Sequence, residues 1–471
     1  METRGTAARV KPGNQRRDGK DQSKVTMVKE PMFETAVPLE RALLVGIDRP
    51  GMEWSCEESL AELDRLVDTI GAQTVGMVTQ RLKTPNTRTL VGKGKVAEIV
   101  TMVAATKTDV VIFDDELTPT QQSNLEHDIK GVKIIDRTAL ILDIFALHAT
   151  SREGRLQVRL AQNQYLLPRL RGMWSHLASN QMGGGVGSRF GEGESQLEVD
   201  RRMVRRRIEY VRAELAKVQS ERATQRKARV GSGIFRVALA GYTNAGKSSL
   251  LNLLTDADAL AYDKLFATLD STTRRLILPN GREMTLTDTV GFIQKLPTTL
   301  IESFKSTLDE ITNADLILHI IDVSSPHQEA QMQAVADTLE QIGAHGVPQL
   351  LVLNKSDLID DERREVIARH IPQGLFVSAL NGEGTEELLA RIEQIANSLS
   401  VVMNVRIPYP SGALIGLAHE ACTVLSEKYD ETGVCMQLQV PPAHVARFKP
   451  YQNSICRAGL DPAPTGKWVS F

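Results

Sequence analysis

Residues 241–248 read GYTNAGKS and stand between an apolar, strand-like stretch and a helical one. A glycine-rich loop that opens a helix presents its backbone N–H groups to phosphate oxygens. At this spacing Lys247 is expected to reach the β- and γ-phosphates of a nucleotide, and the Ser248 hydroxyl is expected to bind Mg²⁺. A glycine-rich turn without a ligand is the alternative, which the flanking strand and helix disfavour. The pattern therefore predicts a P-loop in an α/β domain.

The motif Asp288-Thr-Val-Gly291 ends a later apolar strand, 41 residues after Lys247. Asp288 is expected to hold the Mg²⁺ shell through water, and the Gly291 amide to sense the γ-phosphate. DxxG alone is a weak signal. Its place at the end of a strand, after a P-loop, makes it specific.

The motif NKSD at 354–357 also ends an apolar strand. The Asp357 carboxylate can accept guanine N1–H and the exocyclic N2–H₂, a donor pair that adenine lacks. Asn354 is expected to brace the loops, the Lys355 stem to lie against the base, and Ser-Ala-Leu at 378–380 to add a backbone contact to guanine O6. NKSD alone could be a surface turn, but the series of motifs indicates a GTP site.

A GTPase also needs a hydroxyl that reaches Mg²⁺ when the γ-phosphate is present, in a loop that relaxes after hydrolysis. Thr268 is favoured because it lies 20 residues after Ser248, with Thr272 and Thr273 as alternatives. Many GTPases follow DxxG with a glutamine that orients the attacking water. Phe292 occupies that position here, so unaided hydrolysis should be slow unless backbone or another side chain orients the water.

The predicted GTP site combines these motifs with the string Phe266–Asp270, and Mg²⁺ is its expected cofactor. The predicted catalytic residues are Lys247, Thr268 and Gly291, and the predicted metal ligands are Ser248 and Thr268. The predicted GTP-binding residues are Gly241, Tyr242, Thr243, Asn244, Ala245, Gly246, Lys247, Ser248, Phe266, Ala267, Thr268, Leu269, Asp270, Asp288, Thr289, Val290, Gly291, Asn354, Lys355, Ser356, Asp357, Ser378, Ala379 and Leu380.

The order of strand-like and helix-like stretches predicts an α/β protein in which a small α/β domain with a long helical hairpin precedes a P-loop GTPase domain. A small α+β domain follows, and a polar N-terminal tail is expected to be disordered. The predicted segments, from tail to C-terminal domain, are 1–38, 39–137, 138–230, 231–398 and 399–471. The first domain should contain a largely parallel sheet.

Residues 138–230 predict a coiled-coil hairpin with a glycine-rich tip. Apolar residues continue at helical spacings from Thr138 to Pro168, and a second seam runs from Leu197 to Val218, so a loop over 171–195 should join two antiparallel helices. Residues 151–230 carry 17 Lys/Arg against 8 Asp/Glu, which indicates RNA binding, with a solvated helix surface as the alternative. The candidate RNA-binding residues are Arg171, Gly183, Gly184, Gly185, Arg189, Arg201, Arg202, Arg205 and Arg206.

Composition is that of an ordinary globular protein, with 42% apolar and 24% charged residues. No apolar run is long enough to cross a bilayer. The four cysteines lack metal-type spacing, and the N-terminal tail lacks the apolar segment of a secretory signal. These features favour a cytoplasmic protein. We expect a monomer, since the coiled-coil seam can close within one chain.

Over residues 40–400 the chain resembles the HflX family of translation-associated GTPases, which also places an apolar residue at the Phe292 position. The likeness rests on the P-loop and on several other strings: Val111–Pro119, Asp136–Thr138, Arg152–Gly154, Tyr165–Leu170, Gly191–Arg202 and Phe266–Asp270. The chain departs from the family at Glu192-Gly-Glu-Ser-Gln196, usually Pro-Gly-Glu-Thr-Gln, and at Leu269-Asp-Ser-Thr272, often Leu-Asp-Pro-Thr.

The resemblance implies a GTPase that binds the large ribosomal subunit and its RNA, splits or rescues stalled ribosomes under stress, and is stimulated by the ribosome. The N-terminal domain and hairpin would approach the peptidyl transferase region. One alternative is a regulatory switch that acts on a protein partner or another RNA. Another is a passive RNA-binding protein with structural GTP, which the complete Mg²⁺ and switch set disfavours.

Overall fold

Three sheets, each with its own helices, form the part of the chain that the structure describes. The computed structural model describes residues 39–52, 54–180, 190–230, 234–255, 265–266, 268–279 and 281–452. None of the described helices is both long and apolar enough to span a membrane.

Four strands form the first sheet: β1 (Arg41–Asp48), β2 (Gln73–Arg81), β3 (Val110–Phe113) and β4 (Lys133–Asp136). Its helices are α1 (Cys56–Thr69), α2 (Lys93–Thr106) and α3 (Pro119–Asp128). All strand pairs are parallel, in the order β2-β1-β3-β4. β1 and β3 are buried along almost their whole length, as expected for a parallel sheet with helices on both faces. The predicted small α/β domain with a parallel sheet is confirmed.

Local side chains set where two of these helices begin. Ser55 Oγ accepts a hydrogen bond from the Glu58 amide, and the Glu58 carboxylate accepts one from the Ser55 amide. Thr118 and Gln121 make the same reciprocal pair at the start of α3. Such capping boxes satisfy backbone N–H groups that have no partner within the helix.

Three helices continue the chain: α4 (Arg137–His148), α5 (Arg152–Asn180) and α6 (Phe190–Val230). The helical stretch expected from Thr138 to Pro168 is therefore two helices. The break falls at 149–151, where Thr150 and Ser151 hydrogen-bond a side chain from a distant segment.

The loop expected over 171–195 is also shorter than predicted, because α5 continues through Pro168 as far as Asn180. Arg169, the residue after this proline, contacts the first domain. Its Nη2 donates to the Leu117 carbonyl over 2.6 Å, and its guanidinium lies 3.5 Å from the Tyr165 ring centroid. These contacts hold the helix against the first domain just after the proline.

The predicted hairpin seam is present in the described part of α5 and α6. Buried Leu160, Ile208, Val211 and Leu215 form one apolar cluster, with other seam residues packed against it. Arg152, at the start of α5, pairs over 2.8 Å with Glu214 in the second half of α6. This pairing is what an antiparallel hairpin requires.

A six-stranded sheet carries the P-loop: β5 (Phe235–Gly241), β6 (Thr272–Ile277), β7 (Glu283–Asp288), β8 (Leu316–Asp322), β9 (Gln349–Asn354) and β10 (Leu375–Phe376). Its helices are α7 (Lys247–Thr255), α8 (Thr298–Ser303), α9 (Lys305–Thr312), α10 (Gln328–Gln341), α11 (Asp361–His370) and α12 (Thr385–Ser398). The strand order is β10-β9-β8-β5-β7-β6, with only β6 antiparallel to its neighbour. The ends of β5, β7 and β9 therefore meet at one edge of the sheet.

The C-terminal sheet is antiparallel, in the order β11-β13-β12: β11 (Val401–Pro408), β12 (Thr423–Tyr429) and β13 (Gly433–Val440). Helices α13 (Gly412–Ala421) and α14 (Pro442–Phe448) pack their apolar residues against it. This is the predicted small α+β domain.

One apolar core joins the first sheet to the P-loop domain. The Phe145 ring from α4 packs edge-on against Phe266 and Phe304, with ring centroids 4.7 and 5.1 Å apart. Trp54 stacks on Tyr242 of the P-loop at 6.1 Å. Because protein interiors are close-packed, a side chain that moves on one side of this core displaces its neighbours on the other side.

Candidate nucleotide site

The P-loop occupies the turn between β5 and α7. Asn244 and Gly246 both have positive φ, at 61° and 91°. A Cβ on Gly246 would strike Nδ2 of Asn354, so only glycine fits here without displacing the guanine motif. The P-loop and the NKSD motif can therefore approach this closely because residue 246 is a glycine.

Lys247 is buried across the loop. Its Nζ donates to the carbonyl oxygens of Gly241 and Tyr242, over 3.1 and 2.7 Å. Burial lowers the pKa of Lys247 to about 8, although the nearby Asp288 opposes this shift. A partly desolvated ammonium group at a helix start is suited to bind phosphate.

Three oxygen-bearing side chains meet beside this lysine. Ser248 Oγ lies 2.8 Å from Thr268 Oγ1 and 2.6 Å from Asp288 Oδ2. The other carboxylate oxygen, Asp288 Oδ1, is buried without a hydrogen-bond partner among the described residues. Hydroxyl and carboxylate oxygens are the donors that Mg²⁺ prefers. The residues present thus fit the expected Mg²⁺.

Thr268 is the one of the three candidate threonines that reaches Ser248. Thr272 and Thr273 instead begin β6, where Thr273 Oγ1 lies 3.0 Å from Thr287 Oγ1. Their place in the antiparallel ladder makes them part of the sheet.

Gly291 lies directly against the P-loop. A Cβ at this position would come within 2.9 Å of Thr243 Cα and 3.1 Å of Lys247 Nζ. Next to it, Phe292 donates its N–H to Gly241 O and accepts from Thr243 N, over 3.1 and 2.7 Å. The Phe292 ring is buried in the shared core. It offers no polar group to a water molecule.

The guanine motifs are tied together by Asn354. Its Nδ2 donates to Ala245 O over 2.7 Å, and its Oδ1 accepts from Ala379 N over 3.0 Å. Asp357 is exposed, and Ser378 Oγ donates to its Oδ1 over 2.6 Å. The carboxylate is thereby oriented and accessible to a base.

Other predicted residues support these motifs. Thr289 Oγ1 donates to Leu239 O over 2.7 Å, which fixes the end of β7 to β5. Lys355 has positive φ and pairs over 2.7 Å with Asp322. Leu380 is 84% exposed beside Ala379.

The described side chains of Phe266–Asp270 point in different directions. Thr268 faces Ser248, but the buried side chains of Phe266 and Leu269 belong to the shared core. The Asp270 carboxylate accepts hydrogen bonds from Thr150 at the break before α5. The side chains of Phe266, Leu269 and Asp270 are thus engaged within the protein, and contact between these residues and nucleotide stays a prediction. Ala267 lies outside the described residues.

A buried ionic network, which the sequence did not predict, contacts the P-loop. Arg137 is 1% exposed, and its guanidinium donates to Glu62 and Asp114 over 2.8 and 2.6 Å. Lys295, four residues after Gly291, forms an ion pair with Asp114. Burial alone would raise the pKa of Asp114, but Arg137 and Lys295 hold it below its ordinary value.

Tyr242 connects this network to the P-loop itself. Its hydroxyl donates to Glu62 Oε1 over 2.5 Å and accepts from Gln294 N over 2.8 Å. Asp114 and Arg137 lie in strings that carry the family resemblance, which is the only signal that could have marked them. Tyr242 was predicted for nucleotide contact, yet its side chain reaches the first domain.

The candidate RNA-binding residues are placed only in part. Arg201, Arg202, Arg205 and Arg206 lie on α6, and all but Arg201 are exposed. Arg171 lies in α5. The tip residues Gly183, Gly184, Gly185 and Arg189 lie outside the described residues.

A P-loop, a DxxG strand end and an NKSD strand end at one edge of a mixed α/β sheet define a P-loop GTPase, an enzyme that hydrolyses GTP. Residues 57–146, 148–229 and 236–355 match families described as GTP-binding GTPase N-terminal, GTP-binding GTPase Middle Region and 50S ribosome-binding GTPase.

Whole-chain comparison gives the same class. GTPase HflX of Caldanaerobacter subterraneus subsp. tengcongensis is 46% identical over 87% of this chain and 93% of its own length. The HflX proteins of Alkalihalophilus pseudofirmus and Escherichia coli K12 are 45% and 40% identical, over 84% and 82% of this chain and 92% and 90% of their own lengths. The chain belongs to the HflX family of GTPases.

Proposed function

We propose that this GTPase binds the large ribosomal subunit in the cytoplasm and uses GTP with Mg²⁺ to split or rescue stalled ribosomes under stress. The observation that carries the ribosomal part is an exposed basic face on a long hairpin that is joined directly to the GTP site. The family that matches residues 236–355 is named for ribosome binding, which supports the same partner.

The basic face lies on α6, opposite the seam with α5. Arg202 and Arg206 are exposed there, together with Met203 at 56% and Tyr210 at 65% exposure. Arginines neutralise RNA phosphates, and an exposed aromatic ring can stack on an unpaired base. A helix of 41 residues is about 60 Å long and can carry such groups deep into a ribonucleoprotein.

Within the GTP site, Lys247 would hold the β- and γ-phosphates, and Ser248 and Thr268 would bind Mg²⁺ directly. Bound Mg²⁺ would neutralise charge on the phosphate oxygens. The buried Asp288 Oδ1 would accept from the metal's water shell, and Asp357 would select guanine. Each of these roles is a proposal that follows from the geometry described above.

Phe292 explains why a partner is needed. Its buried ring cannot orient the attacking water, so hydrolysis by the isolated protein should be slow. Binding to the large subunit would supply or reshape the missing group. Hydrolysis of GTP would then release the protein from the subunit, so the rate of hydrolysis would set how long the protein stays bound.

Steady-state GTP hydrolysis, measured alone and with large ribosomal subunits, tests this function. We expect stimulation on the order of tenfold or more, weakened by added salt because phosphate contacts release counterions. Absence of stimulation, with intact GTP binding, would overturn the ribosomal function and favour a regulatory switch on a protein or another RNA.

A matched pair of charge reversals tests the hairpin. Arg206→Glu should weaken stimulation by the large subunit and leave the rate without ribosomes unchanged. Arg391→Glu, the same change on an exposed residue of α12, is the control and should leave both rates as in the wild type. Equal stimulation of the two variants would contradict the proposed RNA face.

A further inference from the structure

The Asp270 carboxylate is bound by the polypeptide segment that leads into the hairpin. Asp270 Oδ2 accepts from Thr150 N over 2.9 Å, from Thr150 Oγ1 over 2.8 Å and from Ser151 N over 2.7 Å. Oδ1 accepts from Ser151 Oγ. Both oxygens of one carboxylate are thus used to receive groups that lie 119 and 120 positions earlier in the chain.

The start of α5 is shaped to receive this carboxylate. A Cβ on Gly154 would collide with Asp270 Oδ1, so the close approach depends on glycine at this position. Ser151 Oγ also accepts from Gly154 N over 2.8 Å, which completes the first turn of the helix. Ser151 therefore caps α5, and Asp270 holds this capping residue and Thr150 before it in place.

The same short loop carries the candidate switch threonine. Thr268 lies two residues before Asp270, and its hydroxyl is 2.8 Å from Ser248 Oγ. Between them, the Leu269 side chain is 2% exposed in the shared core. The same loop thus contacts the P-loop helix through Thr268 and the start of the hairpin through Asp270.

We infer that Asp270 is a positioning residue for GTP hydrolysis: by binding Thr150 and Ser151 just before α5 it holds Thr268 at the Mg²⁺ side of the P-loop. This inference rests on the proposed GTP and Mg²⁺ site. The coupling is reciprocal, because any ligand that fixes Thr268 also fixes Asp270 and stabilises the first turn of α5. The state of the nucleotide is thereby communicated to the hairpin through one carboxylate.

The test uses the full-length protein without ribosomes. Asp270→Ala should lower kcat for GTP about tenfold, the factor that corresponds to losing one hydrogen bond between a charged carboxylate and the segment before α5. The affinity for GDP should stay as in the wild type, since GDP does not require the switch threonine. The kcat of Asp270→Asn, which keeps one carbonyl acceptor, should lie between those of the wild type and Asp270→Ala.

A second measurement separates positioning from general destabilisation. In the wild type, a non-hydrolysable GTP analogue with Mg²⁺ should slow hydrogen exchange of the amides at 150–154, and GDP should not. Asp270→Ala should abolish this difference. Ser151→Ala, which removes a donor on the hairpin side, should reduce it. The control Thr118→Ala loses the cap of α3, far from this loop, and should behave as the wild type in both assays.

Wild-type kcat together with full GTP-dependent protection in Asp270→Ala would overturn the inference. A fall in kcat in Thr118→Ala equal to that in Asp270→Ala would also overturn it, because the loss of any contact at a helix start would then suffice. A wild-type protein without Mg²⁺-dependent GTP hydrolysis would instead refute the GTP site itself.

Discussion

Removal of the Tyr242 hydroxyl should destabilise the contact between the P-loop domain and the first domain. The hydroxyl is shared by two buried groups, Glu62 at 2.5 Å and the Gln294 amide at 2.8 Å. A hydrogen bond to a charged partner contributes about 1.5–3 kcal/mol and a neutral one about 1 kcal/mol. Glu62 keeps its pair with Arg137 in Tyr242→Phe, so we expect a loss of about 2–4 kcal/mol rather than the cost of a fully isolated charge.

Urea unfolding followed by tryptophan fluorescence measures this loss, because Trp54 stacks on the Tyr242 ring. Tyr429→Phe serves as the matched control, since Tyr429 is 68% exposed and its variant should stay within about 0.5 kcal/mol of the wild type. If the free energy of unfolding of Tyr242→Phe also stayed within about 0.5 kcal/mol of the wild type, the hydroxyl would not stabilise the contact between the two domains. The short distances and the burial of this hydroxyl would then contribute nothing measurable to stability.

Three further predictions concern other parts of the GTPase domain. Asp357→Asn should weaken GTP binding on the order of 100-fold and favour xanthine nucleotides. Competition of GTP and xanthosine triphosphate against a fluorescent GDP analogue measures this preference. An unchanged preference for guanine would refute the specificity role of Asp357. Gly246→Ala, at φ 91° and against Asn354, should weaken binding of the same analogue roughly tenfold or more, and wild-type affinity would contradict the steric argument. Burial lowers the pKa of His319 from 6.5 to about 4, so its contribution to stability is complete above about pH 6.5 and is lost as pH falls toward 4, by up to about 1.4 kcal/mol per pH unit. His319→Leu should flatten this slope in urea midpoints between pH 7 and 5, and an identical slope would exclude His319 as its source.

Much of the site could be predicted because each motif is a short, continuous string. The P-loop needs a strand, positive φ at Gly246 and a helix start, and all three are local properties of the backbone. Thr268 was favoured by its spacing alone, and the structure places it beside Ser248. The division of the Phe266–Asp270 string was not predictable, because which side chains of a loop turn inward depends on what packs against the loop.

The fold class, the parallel first sheet and the antiparallel seam of the hairpin follow from local sequence patterns, because hydrophobic periodicity and turn residues act over a few neighbouring positions. Two contacts depend on how distant parts of the chain pack together: Asp270 binds Thr150, 120 positions away, and Tyr242 hydrogen-bonds Glu62, 180 positions away. Such pairs form where two packed surfaces meet. Their identity follows from the relative placement of helices and sheets in the shared core, which no local pattern encodes.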